Sequence, residues 1–304
     1  MTLAPPASRP TALLHALIAH AIWGAMPLYL LLVRAVPPVE FVAWRTLFTL
    51  PVCLFFVWRR NRWAELAACF GSRRTMLTLV GSAAMIALNW LGYIWAIQTN
   101  HVYAASLGYY ILPINMMLMG VVFLKERLSA RQWAAVALAA AGVVALAAGA
   151  LTTLWVSLLL AFSFGTYGLL RKTVDAGPLT GLTVESMILL PIVAAYLGWL
   201  ELAGGGTAFG RDETETAAIL AGGVITAVPL LLFANAARAL PYSLMGFLQF
   251  IAPTVVFVLG LTVFGEELKP AQLACFAAIW LAVALFSWDI WAKSRAPRPV
   301  TPAG

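Results

Sequence analysis

The chain has few charges, few cysteines and few histidines, and it lacks the motifs of common enzymes. Only 10% of its 304 residues are charged, whereas soluble proteins carry about 25%. Its three cysteines form no CxxC pair and its three histidines are dispersed, which predicts neither a disulfide nor a metal site. It has no Walker A or HExxH sequence, so we expect no enzyme activity, no cofactor and no ATP-driven transport by this chain. The scattered positive charges also make nucleic acid an unexpected partner.

Apolar residues make up 62% of the chain and recur in stretches of about 20 residues, each long enough for a helix to cross ~30 Å of hydrocarbon. Lipid offers the backbone no hydrogen-bond partners, so such stretches must be helical. The sequence therefore predicts an all-α integral membrane protein. Its ten spans fall at about 11–33, 40–59, 75–98, 102–124, 132–149, 152–170, 179–200, 216–237, 242–264 and 271–290. The connections between them are short except for 60–74 and 201–215.

Lysines and arginines orient these spans, because cytoplasmic loops carry an excess of both. Of the 19 such residues, the outer loops hold only Arg34, Arg211 and Lys269, and Arg45 lies within a span. The other 15 fall on the side of the N-terminus, which predicts that both termini are cytoplasmic. The segment 291–304 is basic and proline-rich and is expected to be a disordered tail.

The chain also looks duplicated. An offset of 140 residues pairs Pro113 with Pro253, Gly120 with Gly260, Glu126 with Glu266, Leu128 with Leu268 and Gln132 with Gln272. The sequence thus predicts two repeats of five spans, 11–149 and 151–290. Because five is odd, the second repeat must enter from the opposite face. Inverted repeats are typical of secondary transporters, which hold substrate near the midplane between them.

Pro113 and Pro253 each lie near the centre of a span. An interior proline leaves the carbonyl four residues earlier without its usual partner, here that of Tyr109 or Gln249. Two such sites, paired by the repeat, favour a midplane cavity. The alternative is two structural kinks that neighbouring helices satisfy.

Aromatic and amide side chains inside the spans suit a mostly apolar organic substrate. The alternative is ordinary packing, with the amides bonding between helices. The predicted cavity residues are Asn89, Trp90, Tyr93, Asn115, Tyr167 and Asn235, together with Tyr109, Pro113, Gln249 and Pro253.

Arg45 and Glu185 are the charges well inside predicted spans, and the offset makes them counterparts. A charge at a helix centre costs about 2.5–3.5 kcal/mol on insertion scales, so both are candidates for gating or coupling. Their depths place them about 14 Å apart along the membrane normal, which predicts separate partners, one near each mouth. Arg45 could instead snorkel to the headgroups. Glu185 could sense protons or contact substrate.

Several blocks resemble the RarD-like branch of the EamA family, within the drug/metabolite transporter superfamily. These blocks are NWLGYIWAIQTNHVYAASLGYYILPI (89–114), FLKERL (123–128), SFGTYGLLRKT (163–173), LTGLTVESMILLP (179–191) and GFLQFIAPT (246–254). The resemblance covers almost the whole chain and implies a ten-helix inner-membrane carrier of two inverted EamA repeats. RarD-like proteins are often labelled chloramphenicol-sensitivity permeases, which fixes no substrate.

The chain departs from that family at two positions. The family usually has His-Arg where this chain has Trp44-Arg45, and an acidic residue where this chain has Ala104. A coupling role that depends on the missing histidine or carboxylate is therefore not carried over. The positions that match the family are Arg45, Asn89, Tyr93, Pro113, Glu185, Gln249 and Pro253.

The resulting hypothesis is a secondary transporter that exports or exchanges a small organic metabolite or drug by alternating access. Coupling to protons or to a counter-substrate, and assembly as a homodimer, are left open. There are three alternatives: a channel, a membrane-embedded enzyme, and a non-transporting assembly or receptor protein. The last of these would lack a closed midplane cavity.

Overall fold

The computed structural model describes residues 7–99, 101–147, 151–265 and 270–295. Within these ranges the regular structure is helical, apart from turns. The helices are α1 (Arg9–Leu30), α2 (Pro38–Arg59), α3 (Trp63–Gly71), α4 (Arg73–Gln98), α5 (Val102–Leu124), α6 (Ala130–Ala147), α7 (Leu154–Thr173), α8 (Pro178–Leu202), α9 (Glu213–Ala239), α10 (Tyr242–Leu248), α11 (Ile251–Thr262) and α12 (Pro270–Arg295).

Ten segments of the described chain are helical, long enough and apolar enough to cross a membrane. This confirms the predicted all-α membrane fold with ten spans. The ninth span, Tyr242–Thr262, consists of α10 and α11 in succession.

The connection 60–74 contains the short helix α3, whose Cys69 side chain is buried. Helix α12 extends to Arg295, so its last five residues, 291–295, lie within the segment that the sequence assigned to the tail. The predicted repeat boundary near residue 150, Glu266, Leu268, Lys269 and the segment 296–304 lie outside the described residues.

The helices of the first five spans pack mainly on those of the last five. Helix α1 packs on α9 and α11, and the equivalent contacts join α7 to α4 and α5. Three further pairs join spans that are each other's counterparts under the 140-residue offset: α2 with α8, α5 with α10, and α6 with α12. This reciprocal pattern is what two structurally equivalent halves produce. The largest hydrophobic core cluster draws on both.

The two long connections dock reciprocally on the opposite half. Glu65 in α3 accepts hydrogen bonds from Gly177 N and Thr180 Oγ1, both at 3.1 Å, at the start of α8. Glu40, at the start of α2, accepts one from Ala208 N at 2.5 Å in the connection that precedes α9. Each connection therefore binds the start of the second span of the opposite half: α3 binds α8, and the segment before α9 binds α2.

The two central prolines differ in effect. Helix α5 continues through Pro113, whereas the ninth span is interrupted between Leu248 and Ile251. Pro253 has no N–H to donate to the carbonyl of Gln249, and Ala252 N donates to it instead at 3.3 Å. The 140-residue offset makes the two prolines equivalent in the sequence, but the backbone conformation around them differs.

Candidate functional site

A small cavity lies between the two halves, with about 10 Å³ accessible to the centres of water molecules. Helices α2 and α4 of the first half and α7, α8 and α9 of the second half line it. The lining residues are Thr46, Thr49, Ile86, Trp90, Tyr167, Leu182, Glu185, Ser186, Leu189, Thr226 and Leu230. Most of this wall is apolar, with a few hydroxyls and one carboxylate, as is typical of small-molecule sites.

Glu185 is the charged residue in this cavity wall. Its Oε1 accepts a hydrogen bond from Ser82 Oγ at 2.5 Å and lies 3.4 Å from Nη1 of Arg171. Both members of the ion pair are almost fully buried, with 1% and 2% of the side chains exposed. Glu185 Oε2 and Tyr167 Oη are buried without a hydrogen-bond partner among the described residues. The cavity wall therefore keeps unused hydrogen-bonding capacity.

Arg171 was missed by the sequence analysis, which assigned it to a cytoplasmic loop. It lies in the last turn of α7, but its side chain turns inward, and Nη2 donates to Pro178 O at 2.8 Å. Gly181 makes room for it, since a Cβ there would overlap the guanidinium. Gly181 and Glu185 lie on one face of α8 by their i,i+4 spacing. In the sequence, Gly181 one helical turn before Glu185 was the signal that could have indicated space for the Arg171 side chain.

Arg45 lies in a second polar region, next to the cavity. Its guanidinium carbon lies 4.5 Å from the ring centroid of Trp90, which also lines the cavity. Its charge interacts with the phenols of Tyr29, Tyr93 and Tyr109, and the rings of the last two pack edge to face at 6.1 Å. We call these five residues the arginine cluster. Arg45 and Glu185 have separate partners.

The predicted amides bind helix backbone. Asn89 Nδ2 donates to Leu160 O at 2.9 Å, and Asn115 Nδ2 donates to Ala161 O at 2.8 Å, so both tie the first half to α7. Asn235 Nδ2 donates to Leu231 O in its own helix at 2.9 Å. None of these three amides lines the cavity, and these contacts favour the packing alternative.

Gln249 lies at the break in the ninth span, where its Oε1 is 2.8 Å from Nε2 of the buried His20. His20 Nδ1 is 2.6 Å from Ala16 O, so the break is tied to α1. Neither Gln249 nor the two prolines, Pro113 and Pro253, line the cavity. Among the predicted cavity residues, the structure brings Trp90 and Tyr167 to its wall, beside the coupling candidate Glu185.

No group of three histidine, cysteine, aspartate or glutamate side chains that could hold a metal ion occurs in the part of the chain that the structure describes.

Comparison with known proteins identifies relatives over nearly the whole chain. The model of the EamA-like transporter family matches residues 10–148. An uncharacterized transporter of Pseudomonas aeruginosa is 42% identical over 291 residues, which cover 93% of this chain and 95% of the relative. Protein RarD of Escherichia coli strain K12 is 37% identical over 285 residues, 91% of this chain and 93% of that protein.

A solved crystal structure shares the fold, with a TM-score of 0.73 at 18% sequence identity. The match covers 92% of this chain and 99% of that one.

Proposed function

This chain belongs to the EamA family of membrane transporters as a RarD-like member, and on that premise we propose that it exports or exchanges a small organic metabolite or drug. It is a multi-pass protein of the inner membrane. In the proposed mechanism the two halves move against each other, so that the cavity between them opens alternately to each side of the membrane.

The cavity at the junction of the halves carries this proposal. Secondary transporters bind substrate near the midplane, between their repeats. Here the walls combine apolar side chains with Glu185 and Tyr167, which both keep an unused polar atom. A non-transporting receptor or assembly protein has no need of such a cavity, so its presence favours transport over that alternative.

Contacts between α5 and α10 would have to change during this motion. The Glu126 carboxylate accepts hydrogen bonds from Tyr242 N at 2.6 Å and Ser243 N at 2.8 Å. Gly246 packs on α5 so closely that a Cβ there would lie 2.6 Å from Pro113 O. These contacts join the halves at the end of the ninth span that follows Pro241. We propose that they form the inner gate.

A first experiment tests transport itself. Deletion and overexpression strains are compared for extracellular metabolites and for tolerance to a broad drug panel. We expect at least one compound to change in opposite directions in the two strains. Purified protein in liposomes should then accelerate the movement of that compound. If no compound changes and none moves in liposomes, the proposed export is wrong.

A second experiment tests Glu185 as the coupling group. Glu185→Gln keeps the shape of the side chain but cannot take up a proton, so we expect transport in liposomes to lose its pH dependence. Glu185→Asp, which can titrate, should keep it. Glu201→Gln is the matched control, since that carboxylate lies on the same helix, is exposed and binds Thr207.

Transport by Glu185→Gln with the full wild-type pH dependence would exclude Glu185 as the coupling group. The midpoint of thermal unfolding in detergent is measured alongside, because Glu185→Gln leaves Arg171 without its counter-charge. A folded variant that keeps binding but loses pH dependence distinguishes coupling from stability.

A further inference from the structure

Arg45 faces the interior of the helix bundle. It lies on α2 over the indole of Trp90 of α4, and it interacts electrostatically with the phenol of Tyr109 of α5. On the α9 side, a Cβ at Gly222 would lie 3.2 Å from Arg45 Cβ, so that helix approaches closely. Three other helices, α4, α5 and α9, therefore lie close to this residue. This placement disfavours snorkelling to the headgroups, the alternative that the sequence left open.

The charge of Arg45 has no counter-ion among the described residues. Glu40, on the same helix, accepts hydrogen bonds from Trp44 Nε1 and Ala208 N. Glu185 is paired with Arg171, and Arg45 takes part in neither ion pair of the described chain. An unbalanced charge in a membrane protein is costly, and such residues usually mark a substrate or ion pathway.

The guanidinium of Arg45 keeps hydrogen-bond donors available. Its carbon lies 4.5 Å from the centroid of the Trp90 ring, and a guanidinium presents its N–H donors in one plane. The Nε atom is buried and has no hydrogen-bond partner in the described chain. The phenols of Tyr93 and Tyr109 interact electrostatically with Arg45, and a phenol can donate a hydrogen bond to a ligand beside it. A carboxylate fits a guanidinium through two parallel hydrogen bonds.

We propose that the arginine cluster binds the carboxylate of the substrate, so that the transported compounds are small organic anions with a flat apolar body. This inference rests on the proposed transport function and names its substrate class. Trp90 belongs both to the cluster and to the cavity wall, and Thr46 follows Arg45 into that wall. A carboxylate held at Arg45 therefore directs the rest of the molecule into the cavity.

The lining of the cavity fits this class. The side chains of Ile86, Leu182, Leu189 and Leu230 contribute apolar surface for a ring system. A flat apolar body can also pack on the indole of Trp90.

The test uses matched pairs of probes that differ in charge: indole-3-acetate with indole-3-acetamide, and benzoate with benzamide. Binding to the purified full-length protein in detergent is measured by calorimetry and by the shift in thermal unfolding. We expect both acids to bind at least tenfold more tightly than their amides. In Arg45→Gln this preference should disappear, and Arg45→Lys should retain part of it.

Arg131→Gln is the matched control, because Arg131 also lies over an indole, that of Trp288, at 5.1 Å and outside the cavity. It should keep the full preference for acids. Equal binding of acids and amides to the wild type, binding of neither, or a preference that survives in Arg45→Gln overturns the inference. Transport of a neutral compound without acid preference would leave the proposed function standing. Acid binding at Arg45 without any transport would leave the site standing and remove the function.

Discussion

Arg171 and Glu185 form a buried ion pair, which needs hydrogen bonds and space from the surrounding helices. A buried ion pair costs much desolvation, so removing one partner leaves a charge that nothing compensates. Here Ser82 Oγ and Pro178 O supply further hydrogen bonds, and Gly181 supplies the space. The pair therefore fixes how α4, α7 and α8 meet beside the cavity.

At the residue scale, we predict that Arg171→Met lowers the free energy of unfolding by about 3–5 kcal/mol, because Glu185 then remains buried without its counter-charge. The double variant Arg171→Met/Glu185→Leu should recover most of this loss, since neither charge remains. Unfolding of the detergent-solubilised protein measures both. A double variant as unstable as the single one would show that the contribution is not the charge pair.

At the scale of the helices, the ninth span is broken between α10 and α11. The break at Gln249 lies four residues before Pro253, which has no N–H to donate to the Gln249 carbonyl, and His20 holds the side chain of Gln249 on α1. The segment before the break, α10, approaches α5 at Gly246. A short helix with a close contact on one side and a break on the other can move as a unit.

We predict that Gly246→Ala destabilises the protein by about 1–3 kcal/mol, the usual cost of overpacking. The added Cβ would lie 2.6 Å from Pro113 O and 2.9 Å from Met116 Cβ, so α10 must shift away from α5. The control is Gly198→Ala in α8, where a Cβ meets nothing within 4 Å. Its effect should stay within about 1 kcal/mol, the propensity difference between the two residues.

Thermal unfolding and transport are measured for both glycine variants. If Gly246→Ala is as stable as Gly198→Ala, the close contact between α5 and α10 does not contribute to the packing.

At the scale of the whole molecule, the helices of each half contact the other half in reciprocal pairs, and both long connections dock across the junction. Their positions relative to the membrane follow from the charges. The connection that contains α3 carries Arg60, Arg62, Arg73 and neighbouring arginines, whereas the connection before α9 has only Arg211. We therefore keep the proposal that both termini are cytoplasmic.

Cysteine labelling tests this orientation. Arg60→Cys and Gly205→Cys place a thiol at exposed positions in the two long connections. A membrane-impermeant maleimide should label Gly205→Cys in intact cells and Arg60→Cys only after permeabilisation. The three native cysteines are buried, and burial raises the pKa of the Cys69 thiol, so background labelling should be low. The opposite labelling pattern would invert the assigned orientation.

The sequence identified residues that are unusual because they lie inside the membrane. Arg45 and Glu185 stood out because a charge inside an apolar span is costly wherever it lies. Arg171 did not stand out, since an arginine near the end of a span resembles a loop residue until the fold shows where its side chain points. Asn89 and Asn115 looked like ligand-binding amides, and only the position of α7 shows that they bond to its carbonyls.

By itself, the sequence determined the ten apolar spans, the helical fold and the 140-residue pattern of duplication, because the length and polarity of a segment suffice to place it in lipid. The tertiary structure decided which polar groups pair and where a cavity remains. Ser82 and Glu185 are 103 residues apart in the chain, and His20 and Gln249 are 229 apart. Contacts over such separations depend on how helices pack, which local composition and periodicity do not specify.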